Sequence, residues 1–223
     1  MMEAENKGNN AALSCSDCGV LNCFKQQSKF PKFCLTTNAN EELVNACVSL
    51  YKGDGQTATF ARAAAEIEGI YYGKLTRVEE IIAFAKRIGA KKIGIATCVG
   101  LINETKIFTN ILKAKGLESY SVICKIGSVD KTEIGIPDEL KVEKGCFEAI
   151  CNPVLQAKLL NEAKTDLNAI NGLCVGHDTL FIKYSEAPVT YLITKDRVTG
   201  HNPAAALYTS GFYYKRLLKE EVE

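Results

Sequence analysis

Apolar residues along this chain recur at two different periods, and the period changes near Lys91. Upstream, in ANEELVNACVSLYKG, the residues Leu43, Val44, Cys47 and Leu50 keep helical spacing and the stripe ends near Gly53, so a helix is expected. TATFARAAAEIEGIYYG reads as a second helix. In TRVEEIIAFAKRIG, Thr76 and Glu79 have the spacing of a capping box and Gly89 supplies the stop, which defines a third. Downstream of Lys91, short apolar runs alternate with helical stretches, the mark of a parallel sheet. KKIGIAT, ESYSVI, AINGL and APVTYLIT predict strands, while INETKIFTNILKAKG, CNPVLQAKLLNEAK and HNPAAALYTSGFYYKRLLKEE predict helices. Asn152 is a suitable N-cap with Pro153 at the first helical position, and Asn202 with Pro203 repeats that start for a closing helix. The expected fold class is α/β, a small parallel sheet of about four strands flanked by helices, preceded by a cysteine-rich head and a helical segment.

The pattern divides the chain into a polar, mobile start over residues 1–14, a four-cysteine head over 15–37 too short for its own core, a helical segment over 38–90, and an α/β domain over 91–223. Composition then removes several functions. Lys plus Arg number 27 against 26 for Asp plus Glu, which leaves no long-range field to recruit nucleic acid or a membrane surface. No apolar run approaches the roughly 18 residues of a membrane span, and MMEAENKGNNAALS lacks the basic start and apolar stretch of a secretion signal. A cytoplasmic protein is expected. GDGQTA follows a helix rather than a strand, so its glycines do not read as a nucleotide fingerprint.

Ten cysteines change the picture, because in a reducing compartment thiols point to metal or redox chemistry rather than disulfides. With no Trp and only two Met and two His, thiolate is the dominant soft ligand. Cys15, Cys18, Cys23 and Cys34 are spaced C-x2-C-x4-C-x10-C, a four-sulfur set that serves zinc or a 4Fe-4S cluster; the competing reading is incidental surface thiols. Cys98, Cys124 and Cys174 each fall at or just past the end of a predicted strand, and the C-terminal ends of parallel strands line one crevice. Cys151, just before the Asn-Pro helix start, is the natural fourth member beside a helix dipole. The alternative for any one of these is a small buried core residue. Cys-Val-Gly occurs twice, and in both copies the glycine, Gly100 or Gly176, lets the backbone turn sharply, approach a bulky ligand and aim its N–H at sulfur.

His177 and Asp178, then Lys195, Asp196, Arg197 and His201, border the same crevice. His177, Lys195 and His201 are candidates for proton transfer, and the cations for holding an anionic substrate. Each has a structural counterpart: Asp178 as a helix cap, Asp196 paired with Arg197 or Lys195, His201 as a loop residue. Cys47 reads as packing on an apolar helix face, and Cys146 as a spare for Cys151 or Cys124.

CNPVLQA, GLCVGHDTLFIKYSEAPVTYLITKDRVTGHNPAAALY and the four-cysteine head together resemble the uncharacterised metal-binding proteins grouped as domain of unknown function 1847. The resemblance runs from about Cys15 to Tyr208. It implies metal binding in proteins of anaerobic bacteria and archaea, with no assigned reaction, and supports the ligand reading of these cysteines. Two functions are then expected to compete. One is an iron-sulfur protein with one or two 4Fe-4S clusters, acting on a small molecule or with an electron-transfer partner. Three ligands at the strand ends would leave an iron open for reductive or desulfurising chemistry, and four would make an electron carrier. The other is a zinc protein with a structural four-cysteine head and a non-enzymatic α/β domain. A thiol redox relay is a third reading.

Overall fold

The computed structural model describes residues 14–25 and 29–220. Residues 1–13 of the start read as mobile lie outside the described residues, as do 221–223 of the closing segment. The chain divides into two compact units between Arg62 and Ala63.

In the first unit, Cys15 to Cys18 form a tight turn, with the Cys18 N–H donating to the Cys15 carbonyl at 3.2 Å. Short helices α1 (Asn22–Lys25) and α2 (Leu35–Asn38) follow, then α3 (Glu41–Lys52), capped by the Asn40 side chain on the N–H groups of Glu42 and Leu43. Among the described residues, α1, α2 and α3 contribute no buried side chain. The stripe of Leu43, Val44 and Leu50 is exposed, and so is Cys47, which corrects its reading as a packing residue. An amphipathic face becomes a core only when another layer covers it, and the one-turn helices α1 and α2 are too short to do so.

The boundary between the units falls inside α4 (Gln56–Tyr71), so α5 (Arg77–Arg87) belongs with the sheet. The α5 capping box is formed in both directions, and Gly89 takes φ 77° past its end. From there the elements run β1 (Lys92–Thr97), α6 (Ile102–Ala114), β2 (Glu118–Ile123), α7 (Pro153–Glu162), β3 (Leu167–Asn171), α8 (His177–Tyr184), β4 (Val189–Ile193) and α9 (Ala204–Tyr208). The four strands pair in parallel in the order β2-β1-β3-β4. An α/β fold with four parallel strands is what the alternation predicts.

Period-2 alternation sorts the inner strands between two cores. Ile93, Ile95, Leu167 and Ala169 face Ile81, Ile82, Phe108 and Leu112 of α5 and α6. Ala96, Ile170 and Val122 face Ala157 and Leu160 of α7 and Phe181 of α8. Each fully buried Leu, Ile or Phe contributes about 1.5–3 kcal/mol through removal from water. Among the described residues, no helix is long and apolar enough to cross a membrane.

One element departs from the pattern. HNPAAALYTSGFYYKRLLKEE forms only α9, turns, and a 3-10 stretch at Lys215–Leu218. Pro203, not Asn202, occupies the cap position, without a side-chain bond. Downstream, the Thr209 hydroxyl donates to the Ala205 carbonyl at 2.6 Å and Ser210 to Leu207 at 2.9 Å, ahead of Gly211. Hydroxyls that bond back to the preceding turn, followed by glycine, interrupt a helix that apolar spacing alone would continue.

Candidate functional site

Chain order reverses between β1 and β3, and parallel sheets hold their ligand crevice at the carboxyl ends beside such a point. Past the last paired residues the ladder continues into the cysteines. Cys98 donates its N–H to the Asn171 carbonyl at 3.1 Å, Cys124 to Thr97 at 2.8 Å, and Asn152 to Cys124 at 2.7 Å, which draws Cys151 alongside. The Cys174 carbonyl accepts from the N–H groups of both His177 and Asp178 at the start of α8.

Buried polar groups fix these turns. The Gln156 amide, fully buried on α7, donates to the carbonyls of Val122 at 2.7 Å and Thr97 at 3.2 Å, tying together the ends of β2 and β1. The Asn171 amide donates to Thr105 at 2.7 Å and to the Leu101 carbonyl at 3.2 Å, and Thr105 bonds Thr97 at 2.7 Å. Those bonds hold the turn that carries Cys98.

The thiols of Cys98, Cys124 and Cys151 lie close enough to shift one another's ionisation, and the His177 ring acts on Cys151. Consecutive amides serve the first two: Val99 donates to Cys124 Sγ at 3.3 Å and Gly100 to Cys98. Lys195 reaches Cys98, and Arg197 Nη2 donates to Cys174 Sγ at 3.0 Å. Lys195 runs past both glycines: a Cβ on Gly100 would make ordinary contact with Lys195 Nζ at 3.7 Å and Cys98 Sγ at 4.0 Å, and one on Gly172 with Lys195 Cδ at 3.8 Å.

Ionisation follows from these contacts. The bond from Cys124, then the Gly100 amide and Lys195, hold Cys98 down at about 5 against desolvation. Cys151 is lowered to about 4, first by Cys124 and next by His177. Cys124 is pushed far up, because it keeps the proton it shares with Cys151 and Cys98. His177 is raised by Cys151, and Arg197 by Cys174. The neighbours thus favour thiolate at Cys98 and Cys151 and thiol at Cys124.

Other candidates lie elsewhere. His201 takes φ 67° and closes a turn with Asp196: its N–H donates to the Asp196 carbonyl at 2.7 Å, and its Nδ1 accepts from the Asp196 N–H at 3.2 Å. Gly176 takes φ 85° before α8, and the Cβ it lacks would face open space. Asp178 accepts from the Thr179 N–H and, at 2.8 Å, from the Tyr191 hydroxyl, whose pKa is raised to about 12 by desolvation and that carboxylate. Cys146 is exposed, with its carbonyl bonded to Lys141. In the head, Cys15 and Cys23 are exposed and Cys18 and Cys34 half-buried. Cys34 caps α2; desolvation is outweighed there by hydrogen bonds from Thr36 and Thr37, which lower its pKa. Among the described residues, no group of three or more His, Cys, Asp and Glu side chains surrounds a single point as ligands of one ion do.

Sequence reasoning missed Gln156 and Lys125. Lys125 directly follows Cys124, and its charge acts on Cys151. Gln156 lies one helical turn beyond the cap Asn152, a face that α7 turns to the sheet.

The fold is that of a parallel α/β protein, with Cys98 and Cys124 buried and Cys151 and Cys174 half-buried near its strand ends. The chain belongs to the family described as Protein of unknown function (DUF1847), whose model matches residues 34–192. It is 44% identical over 207 residues to an uncharacterised protein of Methanocaldococcus jannaschii, MJ0455, covering 93% of this chain and 99% of that one.

Proposed function

We propose that this is an iron-sulfur protein whose centre is held at the strand ends of the second unit, acting in redox or electron-transfer chemistry with a small molecule or a partner protein. One observation carries the reading: backbone bonds bring Cys98, Cys124 and Cys151 from three separate segments to neighbouring strand ends, where the Val99 N–H donates to Cys124 Sγ at 3.3 Å and the three thiols shift one another's ionisation. Cysteines that merely fill a core need neither. All ten cysteines are free thiols, which supports a reducing, cytoplasmic setting.

The donor set suits a cluster better than one zinc ion. Zinc gathers four ligands about one point, each sulfur at about 2.3 Å. Among the described residues Cys98, Cys124 and Cys151 do not gather about one ion, and a cluster takes its thiolates on separate irons. Cys98, Cys124 and Cys151 would hold it, with Cys174 nearby. When bound, such a cluster supplies one-electron transfer at a potential set by its surroundings. The chain's part is to deliver two preformed thiolates, to point the Val99 and Gly100 amides at sulfur, and to offset negative charge with Lys195 and Lys125.

The head enters as a second centre through its four sulfurs in C-x2-C-x4-C-x10-C spacing and the lowered Cys34. Zinc or a cluster would satisfy that donor set.

Iron, zinc and acid-labile sulfide, measured per chain on protein purified without oxygen, test the proposal. Iron with equivalent sulfide and broad visible absorption is expected, and Cys124→Ala should remove one centre's share. A colourless protein containing zinc alone would replace this reading with the zinc one.

A further inference from the structure

We propose that α3 is an interface between two copies of this chain, packed antiparallel against its own equivalent about a two-fold axis beside Cys47. The pairing is independent of what the thiols of the second unit bind.

α3 is well made from within and, among the described residues, buries no side chain. Asn40 caps it, Glu41 and Glu42 stand in its first turn and Lys52 in its last, each matched to the helix dipole. At about 100° per residue, Leu43, Val44, Cys47, Val48, Leu50 and Tyr51 fall within an apolar arc of about 160° with Cys47 near its middle, and Asn45 and Ser49 lie opposite. All six are exposed, Leu43 and Leu50 at 62%. A helix of 12 residues is marginal in water on propensity and caps alone, and takes its stability from covering such a face.

The face is complementary to itself, which names the occupant. Two antiparallel copies related about Cys47 set Leu43 against Tyr51 of the second copy, Val44 against Leu50 of the second copy, and Cys47 against its own equivalent, as an isologous contact requires. Glu41 and Lys52 lie at opposite ends of the border beside Val48. In an antiparallel pair like borders face each other, so each Glu41 meets Lys52 of the second copy, and the two helix dipoles oppose. Parallel packing would instead crowd Glu41 and Glu42 of both copies at one end. The charges thus select both a second copy and its direction.

The full chain, reduced and kept without oxygen, tests this. One 12-residue face per copy makes a small interface, so sedimentation equilibrium is expected to show reversible dimers with a dissociation constant below about 100 μM. A chain that stays monomeric there would overturn the inference and leave the face to a partner of another kind. Leu43→Glu, at a position already exposed in the single chain, should keep the helix content by circular dichroism and weaken the dimer about a hundredfold, since it buries an unpaired charge twice. A dimer that Leu43→Glu leaves unchanged is held elsewhere and would overturn it equally. Direction is read with a short bismaleimide and mass spectrometry of the joined peptides. In the wild type, Cys47 should join Cys47 of the second copy. In a Cys47→Ser background, Leu43→Cys mixed with Tyr51→Cys should join across the pair, and Leu43→Cys alone should not join itself. Self-joining of Leu43→Cys would overturn the antiparallel arrangement.

Discussion

Gly172, Gly176 and Gly100 sit within a few residues of the thiols, yet they answer to different constraints. At Gly172, φ is 70° and a Cβ would meet Leu101 Cδ1 at 2.1 Å inside the core. Gly176 combines φ 85° with open space, and Gly100 requires only ordinary contact distances. Alanine should therefore cost most at Gly172, about 2–4 kcal/mol, about 1–2 kcal/mol at Gly176, and least at Gly100, measured by urea unfolding. The repeated Cys-Val-Gly was legible in the sequence, but which glycine is constrained was not. Strand and helix geometry decide that, and Gly172 gave no signal beyond its place before Leu173. Arg197 was legible as a cation bordering the strand ends, but not that its guanidinium meets the Cys174 sulfur.

Among the elements, α5 and α7 announced themselves, because capping residues act over three or four positions and can be read locally. The closing helix failed since Thr209 and Ser210 offered the backbone other partners. Gln156 shows what an element contributes to the site. Gln156→Leu keeps the volume but removes a side-chain donor from the Val122 carbonyl and a second donor from the Thr97 carbonyl, which keeps the Cys124 N–H, while also removing the unpartnered Gln156 Oε1, so a loss of about 1–2 kcal/mol is expected in a thermal or urea melt. The connection from β2 to α7 is closed by ions instead. Asp130 lies well below the usual carboxylate range, first through the Thr132 amide and then through Lys141, and Glu148 is lowered chiefly by Lys131. Lys141 also pairs with Asp138. A depressed carboxylate contributes stability that is complete above its unfolded pKa of about 4 and is lost as pH falls through the folded value. Protection against hydrogen exchange over residues 128–150, corrected for the intrinsic rate at each pH, should thus fall as pH drops below about 4, before protection in the strands does. Asp130→Asn should already exchange fast at pH 6. Uniform exchange across both regions would remove the ion pairs from the account.

At the level of the whole molecule, the four-strand parallel sheet followed from alternation alone, because each βαβ unit is a local signal. Which thiols meet was harder, since it depends on strand order: β1 must lie between β2 and β3 for Cys98 and Cys124 to be neighbours, and sequence does not record order. The four head cysteines were legible as a spacing, while among the described residues the helices α1, α2 and α3 beside them bury no side chain. Metal in the head should therefore order it. Chelation of zinc, if zinc occupies that site, should raise proteolysis within residues 15–38 and leave the sheet intact. The central claim concerns the second unit, and Mössbauer spectroscopy of iron-57-labelled protein kept without oxygen tests it most directly. Spectra with the signature of a sulfur-bridged cluster, retained in Cys23→Ala and diminished by one centre's share in Cys124→Ala, are predicted. Spectra without a cluster signature, or a signature untouched by Cys124→Ala, would contradict it.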